Sequence, residues 1–382
     1  MVFAILHVGG SASDIGFVIA IQSVTRVVFI LAGGVWADRL RRQFVMLGSD
    51  ALRAAVQAVL AVLLITGRAH VWELGAGAAV YGAAQSFFGP ASAGLVPETV
   101  PAAQLQQASA LMGFSDSFFS VGGPAAAGLL IAVFGPGLVF ALDAGSFVVS
   151  AVSLGLLRLP PRSLPRRASF RADLAVGWRE LAIRPWYWLN LIAHALWNFA
   201  IPAYYVLGPV IAARMLGGAA AWGTISAFWA AGAVAGGLIA LRVRPRRPLV
   251  AGNLVLVLGA LPLLALARPL GIWEIGIAAA FGSAGMLFLN SVWTATMQEL
   301  IPAQVRSRVD SYDWLISLVV MPAGFAIVGP LAASVGTATT LVGAALVLAV
   351  PCVLVLALPG IRALRRDSEG NLVDPLKAAP LR

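Results

Sequence analysis

Gly33-Gly34-Val35-Trp36-Ala37-Asp38-Arg39-Leu40-Arg41-Arg42 closes an apolar run that begins at Ile15. Paired glycines let two helices approach closely. A carboxylate followed by three arginines then marks where the chain leaves an apolar medium for a charged surface. A helix that crosses a bilayer needs about 20 mostly apolar residues, and Ile15–Ala37 supplies them. Reading outward, ten more stretches qualify: Phe44–Thr66, Val71–Val96, Ser109–Phe134, Leu138–Leu157, Trp186–Ala212, Trp222–Leu241, Leu249–Ala267, Ile272–Leu300, Trp314–Val335 and Ala338–Leu358. Their connections are mostly short and polar or carry Gly and Pro, such as Gly67–His70, Gly135–Gly137 and Arg268–Gly271. Ahead of Ile15 only Met1–Val8 is apolar, about 12 Å of helix against a core of about 30 Å. Those residues read as the last turns of a first span that is otherwise missing, and they lack the basic n-region of a signal peptide.

Composition agrees. Of 382 residues, 60% are hydrophobic and 11% charged, against about 25% charged in a soluble domain. That excludes a water-soluble globule and a disordered chain. A single cysteine, Cys352, excludes a disulfide framework.

The arginines set the orientation. Of the 26 basic residues, 21 fall on the side of Arg39–Arg42, three (Arg68, Arg214, Arg268) on the other, and Arg26 and Arg53 lie within spans. The basic side is expected to be cytoplasmic, with the C-terminus there. The net charge of +10 is then membrane orientation, and no nucleic-acid partner is needed. The long basic connection opens with Pro160, Pro161 and Pro165, then spaces Phe170, Leu174, Trp178 and Leu181 as an amphipathic surface helix. The expected domains are an N-terminal bundle at 1–157, a linker at 158–185, a six-helix C-terminal bundle at 186–358 and a cytoplasmic tail at 359–382.

The halves repeat. A shift of 201 residues puts Glu98 on Glu299, Pro101 on Pro302, Gly123 on Gly324, Gly128 on Gly329 and Gly135 on Gly336. A shift of 203 puts Gly33-Gly34 on Gly236-Gly237 and Arg39 on Arg242. Many secondary transporters are built from repeated halves, with substrate held near the midplane.

Gly34, Asp38, Arg39 and Arg42 match the loop after the second helix of the major facilitator superfamily, G-x-x-x-D-R-x-x-[KR]-R. The segments Val96-Pro97-Glu98, Gly123-Pro124 with Gly128, Phe140–Phe147, Ile301-Pro302 and Arg306-Ser307-Arg308-Val309 resemble its branch of enterobactin exporters and macrolide efflux proteins. Gly123, Pro124 and Gly128 are also similar to the fifth-helix antiporter signature, as helix-packing residues. Phe119 stands where that signature has a glycine, and Ala127 replaces another. The resemblance implies an all-α membrane protein of two pseudo-symmetric helical bundles, with about eleven of the family's twelve helices complete. It also implies alternating access and proton-driven export. Asp38 with Arg42 and Glu98, and Glu299 in the second half, are then expected to gate the inner side.

Three spans carry polar stripes at helical spacing: Asn190, His194 and Asn198 beside Trp197; Tyr81, Gln85, Phe88 and Ser92; and Met286, Asn290, Trp293 and Met297. In the family these helices line the substrate cavity, which makes Gln85, His194, Trp197, Asn198, Asn290 and Trp293 the cavity candidates. Polar groups within a bundle also serve as helix-to-helix glue. Charges inside a membrane are functional candidates by default. Asp116 and Arg26 are the candidates for proton handling, while Asp50, Arg53 and Asp143 read as structural, the first two as a pair on one helix.

No Gly-x-Ser-x-Gly, His-Glu-x-x-His or P-loop is present, so an enzyme is not expected, and no cofactor or metal is implied. The expected function is a secondary transporter, acting as a monomer in the lipid bilayer of the cytoplasmic membrane. It exports a hydrophobic drug-like compound, macrolide or siderophore against protons. The alternative is a membrane protein that keeps the fold without transporting, either a truncated remnant or a partner subunit.

Overall fold

The computed structural model describes residues 1–101, 104–157, 178–179, 181–268, 270–301, 305, 309, 312–313, 315–317, 319–367, 369 and 372–373. Within them, the side chains at 30–39, 90, 93–94, 96–98, 105–106, 109–110, 113–114, 116–118, 120–121 and 125 are outside the description.

Proline and glycine punctuate the helices. Pro185, Pro248 and Pro359 each open one, where the missing N–H would have no intrahelical partner and φ is already set. The helices are α1 (Val2–His7), α2 (Ala12–Arg39), α3 (Arg42–Ile65), α4 (Val71–Thr99), α5 (Leu105–Leu156), α6 (Pro185–Ala200), α7 (Pro202–Ile211), α8 (Ala219–Arg242), α9 (Pro248–Leu256), α10 (Ala260–Ala267), α11 (Ile272–Leu300), α12 (Met321–Val335), α13 (Thr337–Leu354) and α14 (Pro359–Ala363). A two-stranded hairpin follows, β1 (Arg365–Arg366) antiparallel to β2 (Leu372–Val373). Among the described residues nine helical segments are long and apolar enough to cross a membrane. They account for the predicted spans once two features are added. One is α4, which at 29 residues covers Val71–Val96. The other is a break that divides α5 into two of the predicted spans.

That break is at Gly135, with φ 76° and ψ 169°. A side chain would be strained there, and glycine adopts the conformation freely. Gly336, 201 residues on, repeats it with φ 90° and ψ 151° between α12 and α13. The same offset relates α4 to α11. Both are 29 residues long, and Glu73 and Glu274 occupy equivalent places in their first turns. The repeat read from scattered glycines is therefore carried by helix length, helix start and backbone conformation.

The chain divides into two compact units, Met1–Arg167 with Pro209–Gly223 and Phe325–Pro330, and Ala168–Gly208 with Thr224–Gly324 and Leu331–Arg382. In the first unit α3 is held to its neighbours by polar contacts that replace water. Ser49 donates to the Ala84 carbonyl on α4 at 2.7 Å. Gln43 donates to the carbonyls of Leu154 and Leu157, at 2.6 and 2.8 Å, at the end of α5. Gln57 donates to Asp143. Asp50 and Arg53 form an ion pair with side chains 1% and 8% exposed. Ser150 donates to the other Asp50 oxygen at 2.6 Å. The Arg53 guanidinium lies 4.5 Å and 4.4 Å from the ring centroids of Phe88 and Phe147.

The second unit packs by close approach. A Cβ on Gly232 or Gly236 of α8 would fall 2.1 or 2.2 Å from the carbonyl oxygen of Ala280 or Ala284 on α11. A Cβ on Gly285 would fall 2.1 Å from the Val255 carbonyl oxygen on α9. Its core joins Leu181, Tyr187 and Leu191 to Leu249, Trp293, Met297 and Val309. On both units large apolar side chains face outward, Trp72, Leu156 and Leu241 among them. In water that surface would be unfavourable, whereas lipid tails solvate it and leave the backbone groups paired within helices.

Candidate functional site

Four residues on one face of α6 recur at helical spacing: Tyr187, Asn190, His194 and Asn198. On α11 Met286, Asn290, Trp293 and Met297 do the same. In the second unit these faces border a cavity of about 360 Å³, joined by Leu256 of α9 and by Asp313 and Ser317 ahead of α12. Two hydrogen-bonded chains organise its wall.

The first chain runs from a buried amide pair to the cavity wall. Asn253 of α9 donates to the Asn190 side-chain oxygen at 2.8 Å and to the Leu249 carbonyl at 2.8 Å. With its oxygen engaged, Asn190 presents Nδ2 to His194 Nε2 at 3.1 Å. Nε2 is then the acceptor, and the ring carries its hydrogen on Nδ1. Asn198 donates to the His194 carbonyl at 3.0 Å. Asn190 and Asn253 are both fully buried, so losing one partner strands the other. Asn253→Leu is expected to lower stability by about 1–3 kcal/mol, the cost of an unsatisfied buried polar group. Thermal unfolding of the purified protein in detergent measures this, and an unchanged midpoint would show that the chain carries no stability.

The second chain centres on Trp293. Its indole Nε1 donates to Asp313 Oδ2 at 2.6 Å, and the Tyr187 hydroxyl donates to the same oxygen at 3.1 Å. Ser317 donates to Asp313 Oδ1 at 3.3 Å. The Trp293 ring stacks on Tyr187, with centroids 5.2 Å apart and planes 17° apart, and meets His194 at 5.1 Å and 71°. The carboxylate thereby fixes the aromatic pair, and the pair fixes the carboxylate.

A long-helix bundle with a polar-walled cavity and a repeated half is the form of a carrier, and the comparisons name the family. The profile of the Major Facilitator Superfamily matches residues 1–312. The chain belongs to the Major Facilitator Superfamily. It is a multi-pass membrane transporter and not an enzyme. It is 24% identical over 334 residues to macrolide efflux protein A of Streptococcus pyogenes, covering 85% of this chain and 82% of that protein. It is 25% identical to the multidrug efflux pump Tap of Mycolicibacterium fortuitum, covering 94% and 90%. Among solved structures, a bacterial homolog of the human lysosomal transporter Spinster, inward-facing and unoccupied, superposes with a TM-score of 0.73 at 15% identity, covering 93% of this chain and 91% of that one. The fold of the superfamily is thus present, two bundles of helices with internal pseudo-symmetry.

Of the cavity candidates in this superfamily member, His194, Trp197, Asn198, Asn290 and Trp293 line this cavity. Gln85 is half-buried on α4 in the other unit, and its stripe neighbours Tyr81 and Phe88 pack around Arg53. Gly34, Asp38 and Arg39 lie on α2, Glu98 on α4 and Asp116 on α5, with their side chains outside the described residues. Arg42 is the first residue of α3. Arg26 is exposed on α2. Glu299 receives both Arg366 guanidinium nitrogens, at 3.0 and 2.7 Å. The Arg366 amide donates to the Arg246 carbonyl at 2.8 Å, which ties the hairpin to the arginine-rich connection between α8 and α9. Gly123 and Pro124 are half-buried on α5, and a Cβ on Gly123 meets nothing within 4 Å among the described residues. Gly128 is a close contact, since a Cβ there would lie 2.7 Å from the Ala219 carbonyl oxygen. Among the described residues no cluster of His, Cys, Asp or Glu is arranged to hold a metal ion.

The sequence reading passed over Tyr187, Asn253, Asp313 and Ser317. Asn253 was detectable as a lone amide within an apolar span. Asp313 stands one residue before the apolar stretch that starts at Trp314, where it reads as a connection.

Proposed function

We propose that the chain is a secondary active exporter that moves a hydrophobic, drug-sized compound out of the cell by alternating access, against an inward flow of protons. One observation carries this reading: the likeness to proteins named for macrolide and multidrug efflux extends over 82% and 90% of their lengths. The cavity supports it. Trp197, Trp293, Leu256, Met286 and Met297 give it an apolar and polarisable lining, and a few convergent polar groups orient what enters. A macrolide is the first substrate class to test, and a siderophore the second. Asp116 and Arg26 are proposed to handle the proton. Gly34, Asp38, Arg39 and Arg42 are proposed to gate the cytoplasmic side, together with Glu98 and Glu299. The protein works as a monomer in the cytoplasmic membrane, with bundles at 1–157 and 186–358 joined by the linker at 158–185.

Purified protein in proteoliposomes, with an acidic interior and a labelled macrolide outside, is expected to load the label. Collapsing the pH gradient should abolish loading. Loading that ignores the gradient would remove proton coupling, and absence of loading for macrolide and siderophore alike would favour a non-transporting member of the fold. Orientation has its own test. The excess of arginine on one side supports a cytoplasmic position for residues 359–382. A reporter fused after Arg382 should be active only in its cytoplasmic form, and activity of a periplasm-only reporter there would reverse the topology.

A further inference from the structure

Two arginine runs far apart in sequence meet at one end of the second unit. The end of α8 and its connection to α9 carry Arg242, Arg244, Arg246 and Arg247, while α14 and β1 carry Arg362, Arg365 and Arg366. The Arg366 amide donates to the Arg246 carbonyl at 2.8 Å, which lays β1 against that connection. Arg366 is taken by Glu299, and Arg362 donates to the Leu356 carbonyl. The other five side chains are exposed and have no hydrogen bond or ion pair among the described residues. In the hairpin and the adjoining ends of α8, α9 and α11, the described carboxylates are Glu299, Asp367 and Glu369, so arginine stays in excess. Arg247 caps the start of α9 without a side-chain hydrogen bond, and the positive end of that helix adds to the field. An orientation bias accounts for many arginines on one side. It does not require two distant runs to be joined into one rim by a backbone hydrogen bond. Apolar surface begins where the charge ends. Leu238 and Leu241, in the last turns of α8, are 52% and 78% exposed. A cationic rim with bare hydrocarbon just beyond it fits an amphiphile with an anionic head and apolar tails.

We propose that this rim is a docking surface for anionic phospholipid. The phosphate diester sits across the α8–α9 connection and β1, between Arg246 and Arg365, and the acyl chains run along Leu238 and Leu241. Guanidinium groups suit the task, since they pair with phosphate oxygens in two-point contacts and are more weakly hydrated than ammonium. The head group acts as a clip. It neutralises arginines from both runs and so holds the hairpin to the connection. A zwitterionic lipid carries its own cation beside the phosphate and gains less. The rim shares no residue with the lining of the cavity, and its occupancy does not depend on export.

The purified full chain, equilibrated in detergent with equimolar phosphatidylglycerol and phosphatidylcholine, can be weighed with its retained lipids by native mass spectrometry. Phosphatidylglycerol is expected to be retained over phosphatidylcholine by about tenfold, the scale of one or two arginines near a charged head group. The preference should shrink as ammonium acetate is raised. Arg246→Gln/Arg365→Gln should lower the ratio several-fold. Both side chains are exposed, so the variant should melt like the wild type in lipid-free detergent. Arg41→Gln/Arg179→Gln removes the same charge from other exposed arginines and should leave the ratio unchanged. Equal retention of the two lipids by the wild type would overturn the proposal. So would an equal fall in the two double variants, which would mean that net charge acts without a site. Prior incubation with inorganic phosphate should displace little of the lipid. Ready displacement would show that a free anion binds instead of a lipid head group, and would overturn the proposal as well.

Discussion

Asp50→Ala should be among the most damaging single substitutions in the first unit, lowering stability by about 3–5 kcal/mol, as when one partner of a buried ion pair is removed. Both side chains of the pair are almost fully buried. Removing the carboxylate leaves the Arg53 guanidinium between Phe88 and Phe147 with its main counter-charge gone, and takes the acceptor from Ser150. The π faces offset part of the loss, roughly 1–2 kcal/mol for a desolvated cation. The double variant Asp50→Leu/Arg53→Leu removes both charges together and should be much closer to the wild type, since paired buried charges add little over apolar residues of similar size. Equilibrium unfolding in mixed micelles reads all three proteins. A wild-type-like Asp50→Ala, or a double variant as unstable as the single one, would show that the pair does not govern the packing of α3.

The second large effect is steric. Gly236→Leu should weaken the second unit by about 3 kcal/mol or more, at or beyond the usual range for overpacking. Its Cβ would sit 2.2 Å from the Ala284 carbonyl oxygen and 2.7 Å from the Ala284 Cα, which are backbone atoms that cannot turn aside. The α8–α11 crossing would have to open along its length. Two neighbours serve as controls. Among the described residues, a Cβ at Gly237 meets only the end of the Leu287 side chain at 3.3 Å, and at Gly343 it meets nothing within 4 Å. Gly237→Ala and Gly343→Ala should therefore leave a single monodisperse peak in size-exclusion chromatography, while Gly236→Leu aggregates or fails to accumulate. A monodisperse Gly236→Leu protein with unchanged melting would mean that the helices are not in contact there.

These two sites mark what was legible in the sequence. Span lengths follow from hydrophobicity alone, because a bilayer fixes the length of helix it accepts. Gly135 and Gly336 were readable as a matched pair because only glycine takes their backbone conformation freely. The Asp50–Arg53 pair followed from their spacing of three on one helix. The polar stripes on α6 and α11 were readable as stripes, yet that they border one cavity depends on how each helix is rotated about its axis, which no single-helix pattern fixes. The same limit applies to Tyr81 and Phe88. Their spacing matches a cavity stripe, and the structure packs both around Arg53. Asp313 was hidden for a simpler reason. It lies at the edge of an apolar stretch, where a carboxylate looks like the end of a helix, and its role depends on Trp293, 20 residues earlier on another helix.

The central claim, export of a hydrophobic drug through this fold, is tested most directly by the steady-state level of a labelled macrolide in pump-deficient bacterial cells that express the full chain. The expected level is several-fold below that of cells carrying the empty vector, restored when an uncoupler dissipates the proton gradient. Equal levels in the two cell lines, with the protein verified in the membrane, would contradict it.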